Sequence, residues 1–240
     1  MAFYAGFDTM TYPGDDMMAW LKANSNLTWC GYYLAPAPNR SPTGWPGTYN
    51  ALKDSWAPVP IYVGQQDPST AHGDYTPSSI LTADQGTRDG QDAANLAAGD
   101  AFPAGTYVFL DWESGSITAA GAKDYILAWM QSVLADGRMA PGIYCSHAVA
   151  PQIAADLDGL RPACDVRFWC WMVTNADPHP CQDDLTGVPA PDPAGCGFTG
   201  AVAWQREQQA LVTLPEGAPT SQIELDFSSS ISAQPASGAA

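Results

Sequence analysis

Eight short apolar segments, most of them separated by helix-like stretches, constrain the fold of this chain more than any other feature. Their β-branched, aromatic and aliphatic residues are typical of buried strands. Strands that alternate with helices pair in parallel, and eight such units close into a barrel. The predicted strands are residues 3–8, 27–34, 59–65, 107–112, 141–146, 166–172, 201–205 and 222–227.

Helix-like stretches follow the first five predicted strands, and the clearest of them, residues 119–135, places its apolar residues on one helical face. The chain has little helix after the sixth and seventh strands, so loops replace helices in the second half. We predict an α/β fold with one domain, a (β/α)8 TIM-like barrel over residues 1–227. Residues 228–240 are rich in Ser and Ala and read as a disordered tail or linker.

Composition narrows the partners of such a barrel. Twenty-five Asp and Glu against nine Lys and Arg give a formal charge of −16, which repels phosphate backbones and argues against nucleic acid. A neutral glycan meets no such repulsion, whereas an anionic polymer would have to be bound locally against the overall field. No apolar run is long enough to span a membrane. The N-terminus lacks the basic start and apolar stretch of a signal peptide, so we expect either that the chain is not secreted by that route or that a signal has been trimmed.

The six cysteines fall into two groups. Cys30 and Cys145 lie in predicted strands and are expected to be buried thiols. The other four crowd around a loop rich in Pro, Asp and Gly, and their spacing matches no common zinc pattern. We expect a disulfide there, which would fit an oxidising, extracellular setting. Sequence leaves the pairing among Cys164, Cys170, Cys181 and Cys196 open, with Cys181–Cys196 as the favoured pair.

The fourth predicted strand ends in two carboxylates, Asp111 and Glu113. Side chains two apart on a strand point the same way, with Cα atoms roughly 6.5–7 Å apart. Such a pair suits cleavage of a glycosidic bond, in which one group holds a proton and its neighbour stabilises positive charge. Acidic residues also commonly end a strand and begin a loop, so the pair alone leaves both interpretations open.

Ligands of a parallel barrel bind at the C-terminal ends of its strands. Four acids, Asp8, Asp111, Glu113 and Asp226, are expected to converge there, and clustered carboxylates raise each other's pKa. We predict that these four form the catalytic group of a carbohydrate site. The amides and aromatic residues at the same strand ends are the predicted substrate-binding residues: Tyr33, Gln65, Gln66, Trp112, Tyr144, Trp171 and Gln205.

Six segments carry a resemblance to a known family: Gly-Phe-Asp (6–8), Gly-Tyr-Tyr-Leu (31–34), Pro-Ile-Tyr-Val-Gly-Gln-Gln (60–66), Gly-Gln-Asp-Ala (90–93), Asp-Trp-Glu (111–113) and Pro-Gly-Ile-Tyr-Cys-Ser (141–146). They resemble the bacterial glycoside-hydrolase-like family known as domain of unknown function 1906, from about residue 3 to residue 227. That family is similar in turn to glycoside hydrolase family 25, the barrel lysozymes that cleave peptidoglycan. The lysozymes have an Asp that ends strand one, a D-x-E that ends strand four and an Asp on the last strand.

The resemblance implies a role for each acid. Glu113 would be the general acid/base that protonates the glycosidic oxygen. Asp111 would orient and polarise the substrate, including its N-acetyl group if cleavage is substrate-assisted. Asp8 and Asp226 would hold Glu113 and a water or the sugar in register. The resemblance therefore implies a cell-wall glycosidase, acting on an amino-sugar polymer such as peptidoglycan and needing no cofactor.

Two alternatives stay open. A non-catalytic glycan-binding module or phage virion structural module would keep the same barrel, acids and aromatic residues without turnover. A purely structural barrel would require the long loop at residues 67–82 to cover the acids. Both the glycosidase and the non-catalytic module are expected outside the cell, at the cell wall or in a phage virion. The C-terminal tail would then be a point of assembly.

Overall fold

The computed structural model describes residues 2–71, 73–158, 165–173, 179–180 and 184–238. Strands and helices alternate through its first half, as the apolar pattern predicts. The strands are β1 (Tyr4–Asp8), β2 (Leu27–Tyr33), β3 (Ala57–Tyr62), β4 (Tyr107–Trp112), β5 (Ala140–Ser146), β6 (Arg167–Trp171), β7 (His179–Pro180), β8 (Ala201–Thr213) and β9 (Gln222–Ser230). The α-helices are α1 (Asp15–Asn24), α2 (Tyr49–Leu52), α3 (Ala83–Gly99), α4 (Ala122–Asp136) and α5 (Ala150–Leu157).

The helices begin and end where local chemistry favours it. The side chain of Thr82 caps α3 by accepting a hydrogen bond from the amide of Gln85. Helix α4 lies between Gly121 and Gly137, which both adopt the left-handed conformation that glycine tolerates. Beyond α5 the only helical elements among the described residues are short 3-10 turns. This confirms that loops replace helices in the second half. None of the described helices is long and apolar enough to cross a membrane.

Eight strands close into a barrel. β1 to β6 pair in sequence as parallel neighbours, β6 pairs with β8, and β9 closes the ring between β8 and β1. The predicted (β/α)8 TIM-like barrel is confirmed, with one correction. β9 runs antiparallel to both neighbours, because a short turn joins it to β8 and a parallel return would need a longer crossover.

The barrel extends beyond residue 227. Ser228, Ser229 and Ser230 are fully buried in β9, so the prediction that a disordered tail begins at 228 is wrong for these residues. Small Ser side chains mimic a linker in composition, yet they also fit the crowded interior of a barrel strand. Farther along, the carbonyl oxygen of Ala236 accepts a hydrogen bond from the amide of Tyr107 at 2.8 Å. The division of the chain into a single domain and a tail otherwise stays a prediction.

Aromatic residues fill the barrel below the strand ends. Trp169 stands edge-on to Trp29, Phe109 and Tyr144, with ring centroids 5.2, 6.0 and 5.3 Å away. Its indole nitrogen donates to the hydroxyl of Ser228 at 3.2 Å, which satisfies the one polar atom of an otherwise buried ring. The rings of Trp29, Phe109 and Trp169 are buried and packed edge-on, so the barrel interior beneath the strand ends is filled by apolar side chains.

Gly31 leaves the space that the side chain of Asp8 occupies. A Cβ atom on Gly31 would lie 2.5 Å from the Cβ of Asp8 and 2.9 Å from Cδ1 of Ile61. We expect Gly31→Ala to displace Asp8 and to destabilise the fold by about 1–3 kcal/mol, as overpacking does. Thermal unfolding measures this loss, and Gly47→Ala, where no atom lies within 4 Å but φ is positive, separates crowding from backbone strain. Equal stability of Gly31→Ala and the native chain would contradict this packing.

The described cysteines are free thiols: Cys30, Cys145, Cys170 and Cys196. The predicted disulfide Cys181–Cys196 is therefore wrong, because Cys196 is a free thiol. Its side chain turns into the core, which the spacing of the cysteines in the sequence could not reveal. Cys145 and Cys170 are register partners on β5 and β6, and a hydrogen bond with Cys170 raises the pKa of Cys196. Cys164 and Cys181 lie outside the described residues.

These four thiols should resist alkylation in the folded protein, because their side chains are buried and the reagent cannot reach the sulfur atoms. Burial is the main cause that raises the pKa of Cys30, and a hydrogen bond with Cys145 is the first cause that raises the pKa of Cys170. Iodoacetamide labelling followed by peptide mass mapping should show them unmodified before unfolding and modified after it. Rapid native labelling of Cys196, or its recovery in a disulfide, would contradict this burial.

Candidate active site

Two of the four predicted acids lie side by side because of strand register. Asp8 ends β1, and Asp226 of the antiparallel β9 is its direct register partner. The sequence interpretation placed Asp226 at the end of its strand. In the structure it lies inside β9, and the reversed direction of that strand is what brings it to the barrel mouth. The charge of Asp226 is the second cause, after burial, that raises the pKa of Asp8.

A set of hydrogen bonds fixes this pair. The hydroxyl of Tyr33 donates to Oδ1 of Asp8 at 2.8 Å, while Oδ2 of Asp8 is buried and has no hydrogen-bond partner among the described residues. Asp226 accepts from the side-chain amide of Gln205 at 2.9 Å and from the backbone amide of Gln209 at 2.6 Å. The hydroxyl of Tyr144 in turn hydrogen-bonds the amide oxygen of Gln205. Tyr33, Gln205 and Tyr144 therefore hold the acids in place.

A bulge in β8 supplies one of those donors. The register of β8 against β9 shifts between Glu207 and Ala210, and Gln209 within this stretch has a φ of 52°. A left-handed conformation is costly for a residue other than glycine and often marks a functional site. Here the bulge turns the amide of Gln209 toward Oδ1 of Asp226.

The other two acids lie at the end of β4, and Gln66 fixes that end. The buried side chain of Gln66 donates to the carbonyl oxygen of Asp111 at 2.7 Å and accepts from the amide of Glu113 at 3.0 Å. One glutamine thus clamps the backbone on both sides of Trp112. Asp111 is 4% exposed, whereas Glu113 lies just past the strand end and is exposed. Glu113 is therefore the acid of this pair that meets solvent.

The inner acids retain protons more strongly than ordinary carboxyls. Burial is the largest cause that raises the pKa of Asp8 and of Asp111 well above its usual value. The charge of Glu113 raises the pKa of Asp111 further, and the cation of Arg40 lowers both pKa values in part. Carboxylates that are buried close together disfavour each other's ionisation, so the fold favours the protonated forms of Asp8 and Asp111.

Two residues of the mouth were missed by the sequence interpretation. Arg40, in the loop after β2, places its guanidinium carbon 4.5 Å from the centroid of the Tyr33 ring. Tyr75 belongs to the long loop after β3, and the charges of Glu113 and Asp111 contribute to raising its pKa after burial, the main cause. Neither lies at a strand end, so no period-two pattern points to them. The excess of acids at the mouth was the one signal that a cation would lie nearby.

Two predicted substrate-binding residues lie elsewhere. Gln65 turns out of the barrel, where its amide donates to Asp89 of α3 and accepts from Ser78 and Ile80. It anchors the long loop, because β3 ends at Tyr62 and side chains no longer alternate beyond that point. Trp112 is 0% exposed and donates to the carbonyl of Ser116, so it presents no face to a sugar.

The remaining predicted residues line the mouth or its wall. The hydroxyl of Tyr144 contacts Gln205, which donates to Asp226, so this residue lies beside the acids. Burial raises the pKa of Tyr144, and the charges of Asp8, Asp111 and Asp226 raise it further. Trp171 ends β6, is half-buried and is the register partner of Gln205. Among the described residues, no group of three or more His, Cys, Asp or Glu has the arrangement needed to hold a metal ion.

The eight-stranded barrel with acids gathered at its mouth agrees with the glycoside-hydrolase-like class that the resemblance implies. Residues 19–193 match the model of the Rv2525c-like, glycoside hydrolase-like domain, and the chain belongs to this family. No curated protein sequence matches the chain significantly.

Solved structures share the fold at low sequence identity. The Mycobacterium tuberculosis Tat-secreted protein Rv2525c is 12% identical, with a TM-score of 0.53 and 96% of each chain covered. A lysozyme from Streptomyces coelicolor is 14% identical, with a TM-score of 0.55 over 97% of this chain and 94% of that one. The Clostridium perfringens spore cortex lytic enzyme SleM is 13% identical, with a TM-score of 0.59 over 95% and 67% of the two chains. The chain is thus similar in fold to a bacterial lysozyme and to a spore cortex lytic enzyme.

Proposed function

We propose that this protein is a glycosidase that hydrolyses an amino-sugar polymer of the bacterial cell wall, such as peptidoglycan. The observation that carries the proposal is the gathering of Asp8, Asp111, Glu113 and Asp226 at one barrel mouth, with two of them buried and inclined to hold protons. The similarity to a lysozyme and to a cortex lytic enzyme supports peptidoglycan as the polymer.

Glu113 is the proposed proton donor to the glycosidic oxygen. It is the exposed member of the pair at the end of β4, so a bound polymer can reach it. Gln66 fixes its backbone amide, which limits the positions that the carboxyl group can occupy. A general acid that is positioned in this way typically contributes 10²–10⁴-fold to the rate.

The buried acids are proposed to orient and stabilise the reacting sugar. Oδ2 of Asp8 and Oδ1 of Asp111 are buried without a hydrogen-bond partner among the described residues. A buried polar atom without a partner is costly, and a sugar hydroxyl or acetamido group would satisfy it. Asp226 is already held by Gln205 and Gln209, so it serves as a fixed negative charge near the developing positive charge of the sugar ring.

The test is reducing-end release from purified peptidoglycan, chitin and a neutral glucan, each incubated with the full chain. We expect release from peptidoglycan and little from the glucan, which lacks acetamido groups. Sedimentation of the protein with each insoluble polymer, measured in parallel, reports binding. Binding to peptidoglycan without release from any polymer would contradict hydrolysis and favour the glycan-binding module. A chain that neither binds nor cleaves any of the three polymers would contradict a carbohydrate site at the barrel mouth.

A cell-wall substrate places the protein outside the cytoplasmic membrane, at the wall or in a particle that attacks the wall. The Tat-secreted relative from Mycobacterium tuberculosis supports an extracytoplasmic location, and an endolysin catalytic domain of a Listeria phage has a TM-score of 0.58 to this chain at 11% identity. Assembly into a phage particle or a cell-surface complex through the C-terminal residues is the remaining part of this proposal.

A further inference from the structure

Among the described residues, Arg40 brings a positive charge to the acids of the mouth. The charge of Arg40 acts on Asp8, Asp111, Tyr33 and Tyr75. Its guanidinium lies over the face of Tyr33, 4.5 Å from the centroid, and its Nε atom is buried without a hydrogen-bond partner. Among the described residues Arg40 forms no ion pair, although its charge lowers the pKa values of the buried Asp8 and Asp111.

The loop holds Arg40 in this position before any ligand arrives. Arg40 and Ala37 exchange both backbone hydrogen bonds, at 2.9 and 3.0 Å. The adjacent Asn39 donates its side-chain amide to the carbonyl oxygens of Gly64 and Ser78 and accepts from the amide of Ser78. This ties the loop after β2 to the end of β3 and to the long loop. Hydrogen bonds therefore fix the backbone of Arg40, and the ring of Tyr33 supports its guanidinium group.

The N–H donors of Arg40, which have no hydrogen-bond partner among the described residues, suit a carboxylate ligand. Arginine presents five N–H donors in a planar fork that matches a carboxylate in bidentate geometry. The acids nearby are bound to other partners or are buried and inclined to stay protonated, so they do not use this fork. On a chain of formal charge −16, a fixed cation is also what local binding of an anionic polymer requires.

We propose that Arg40 binds a carboxylate carried by the glycan, so that the sugar held at the mouth is an acidic one. This inference rests on the proposed glycosidase function and specifies its substrate class. The carboxylate can be the lactyl group of a muramic acid whose peptide has been removed, or the C6 carboxylate of a uronic acid unit within an amino-sugar polymer. Tyr33 supports the guanidinium from below, and Asn39 keeps the loop in place.

The experiment compares matched ligands on the full-length native chain, on Arg40→Met and on Arg40→Lys. One pair is peptide-free glycan strands with free lactyl carboxylates and the same strands with these carboxylates reduced to alcohols. A second pair is a uronic acid oligosaccharide and its carboxyl-reduced form. Titration calorimetry measures Kd for all four, and thermal unfolding verifies that each variant is folded. Reducing-end release is measured on the two strand samples.

We expect the native chain to bind at least one acidic ligand about 10–100-fold more tightly than its reduced partner, as a hydrogen bond to a charged group predicts. Arg40→Met should remove that preference, and Arg40→Lys should keep only part of it because it lacks the planar fork. The pair that shows the preference identifies the source of the carboxylate.

Equal binding of the acidic and reduced members in both pairs would overturn the proposal. So would an equal loss of affinity for both members in Arg40→Met, because Arg40 would then only balance the charge of the acids. Failure of the glycosidase function is distinguishable from this: it would show as no reducing-end release while the preference for the acidic ligand persists.

Discussion

Glu113→Gln is expected to lower the rate of reducing-end release from peptidoglycan by about 10²–10⁴-fold, the usual contribution of a positioned general acid. The substitution keeps the shape of the side chain but replaces the acidic carboxyl group with an amide, which cannot protonate the leaving oxygen. Because Glu113 is exposed and its backbone amide is held by Gln66, the fold and the affinity for the glycan should change little. The loss should therefore fall on kcat and leave KM nearly unchanged.

Glu216→Gln is the matched control for this prediction, since Glu216 is exposed in the turn between β8 and β9 and is not one of the four acids of the cluster. It makes the same chemical change and should keep the native rate. A Glu113→Gln chain that releases reducing ends at the native rate would remove Glu113 from the chemistry.

Asp111→Asn and Asp8→Asn are expected to raise the thermal stability of the protein at neutral pH while they impair turnover. Each native carboxyl has its pKa raised in the fold, chiefly by burial. The folded state then holds the proton more tightly than the unfolded chain, so stability falls as pH rises above the unfolded value of about 3.9. Asparagine removes this penalty, and each kcal/mol gained should raise Tm by about 2–4 °C.

The sign of this effect is tested by measuring Tm between pH 3 and pH 8. The gain from either substitution should be present at pH 7 and vanish near pH 3, where the native carboxyl is protonated in both states. Asp54→Asn, at an exposed position, is the control and should change Tm little. Loss of stability at pH 7 in both variants would show that the ionised carboxylates stabilise the barrel.

Much of the fold could be predicted from residue periodicity. The strands around Asp8 and Asp111 are short apolar runs that end in an acid, and helices with one apolar face separate the first six strands. A closed barrel follows from that alternation, and it brings the strand ends together. For this reason the convergence of acids from strands far apart in the sequence could be expected before any contact was known.

The reversed last strand could not be predicted in the same way. β8 and β9 are joined by a turn, but the alternation of apolar residues reads the same in either strand direction. Asp226 was expected at the mouth as the end of a parallel strand, and it lies there for a different reason, because the antiparallel register pairs it with Asp8. The Ser-rich end of β9 was misread because small polar residues are common to linkers and to crowded barrel interiors.

The parts of the site that lie in loops were also beyond the sequence. Arg40 reaches the acids only because Asn39 ties its loop to the end of β3. Gln65 and Gln66 are neighbours in one segment, yet one anchors the long loop outside the barrel and the other clamps β4. Hydrogen bonds between distant segments decide these orientations, and no local pattern encodes them.

Digestion of peptidoglycan in water enriched in ¹⁸O tests the central claim most directly. If the acid cluster hydrolyses a glycosidic bond, mass spectrometry should find new fragments whose reducing-end sugar carries one ¹⁸O atom, and the Glu113→Gln chain should produce almost none. Intact polymer after incubation with a folded native chain that binds it, or fragments without the label, would contradict glycoside hydrolysis by this barrel.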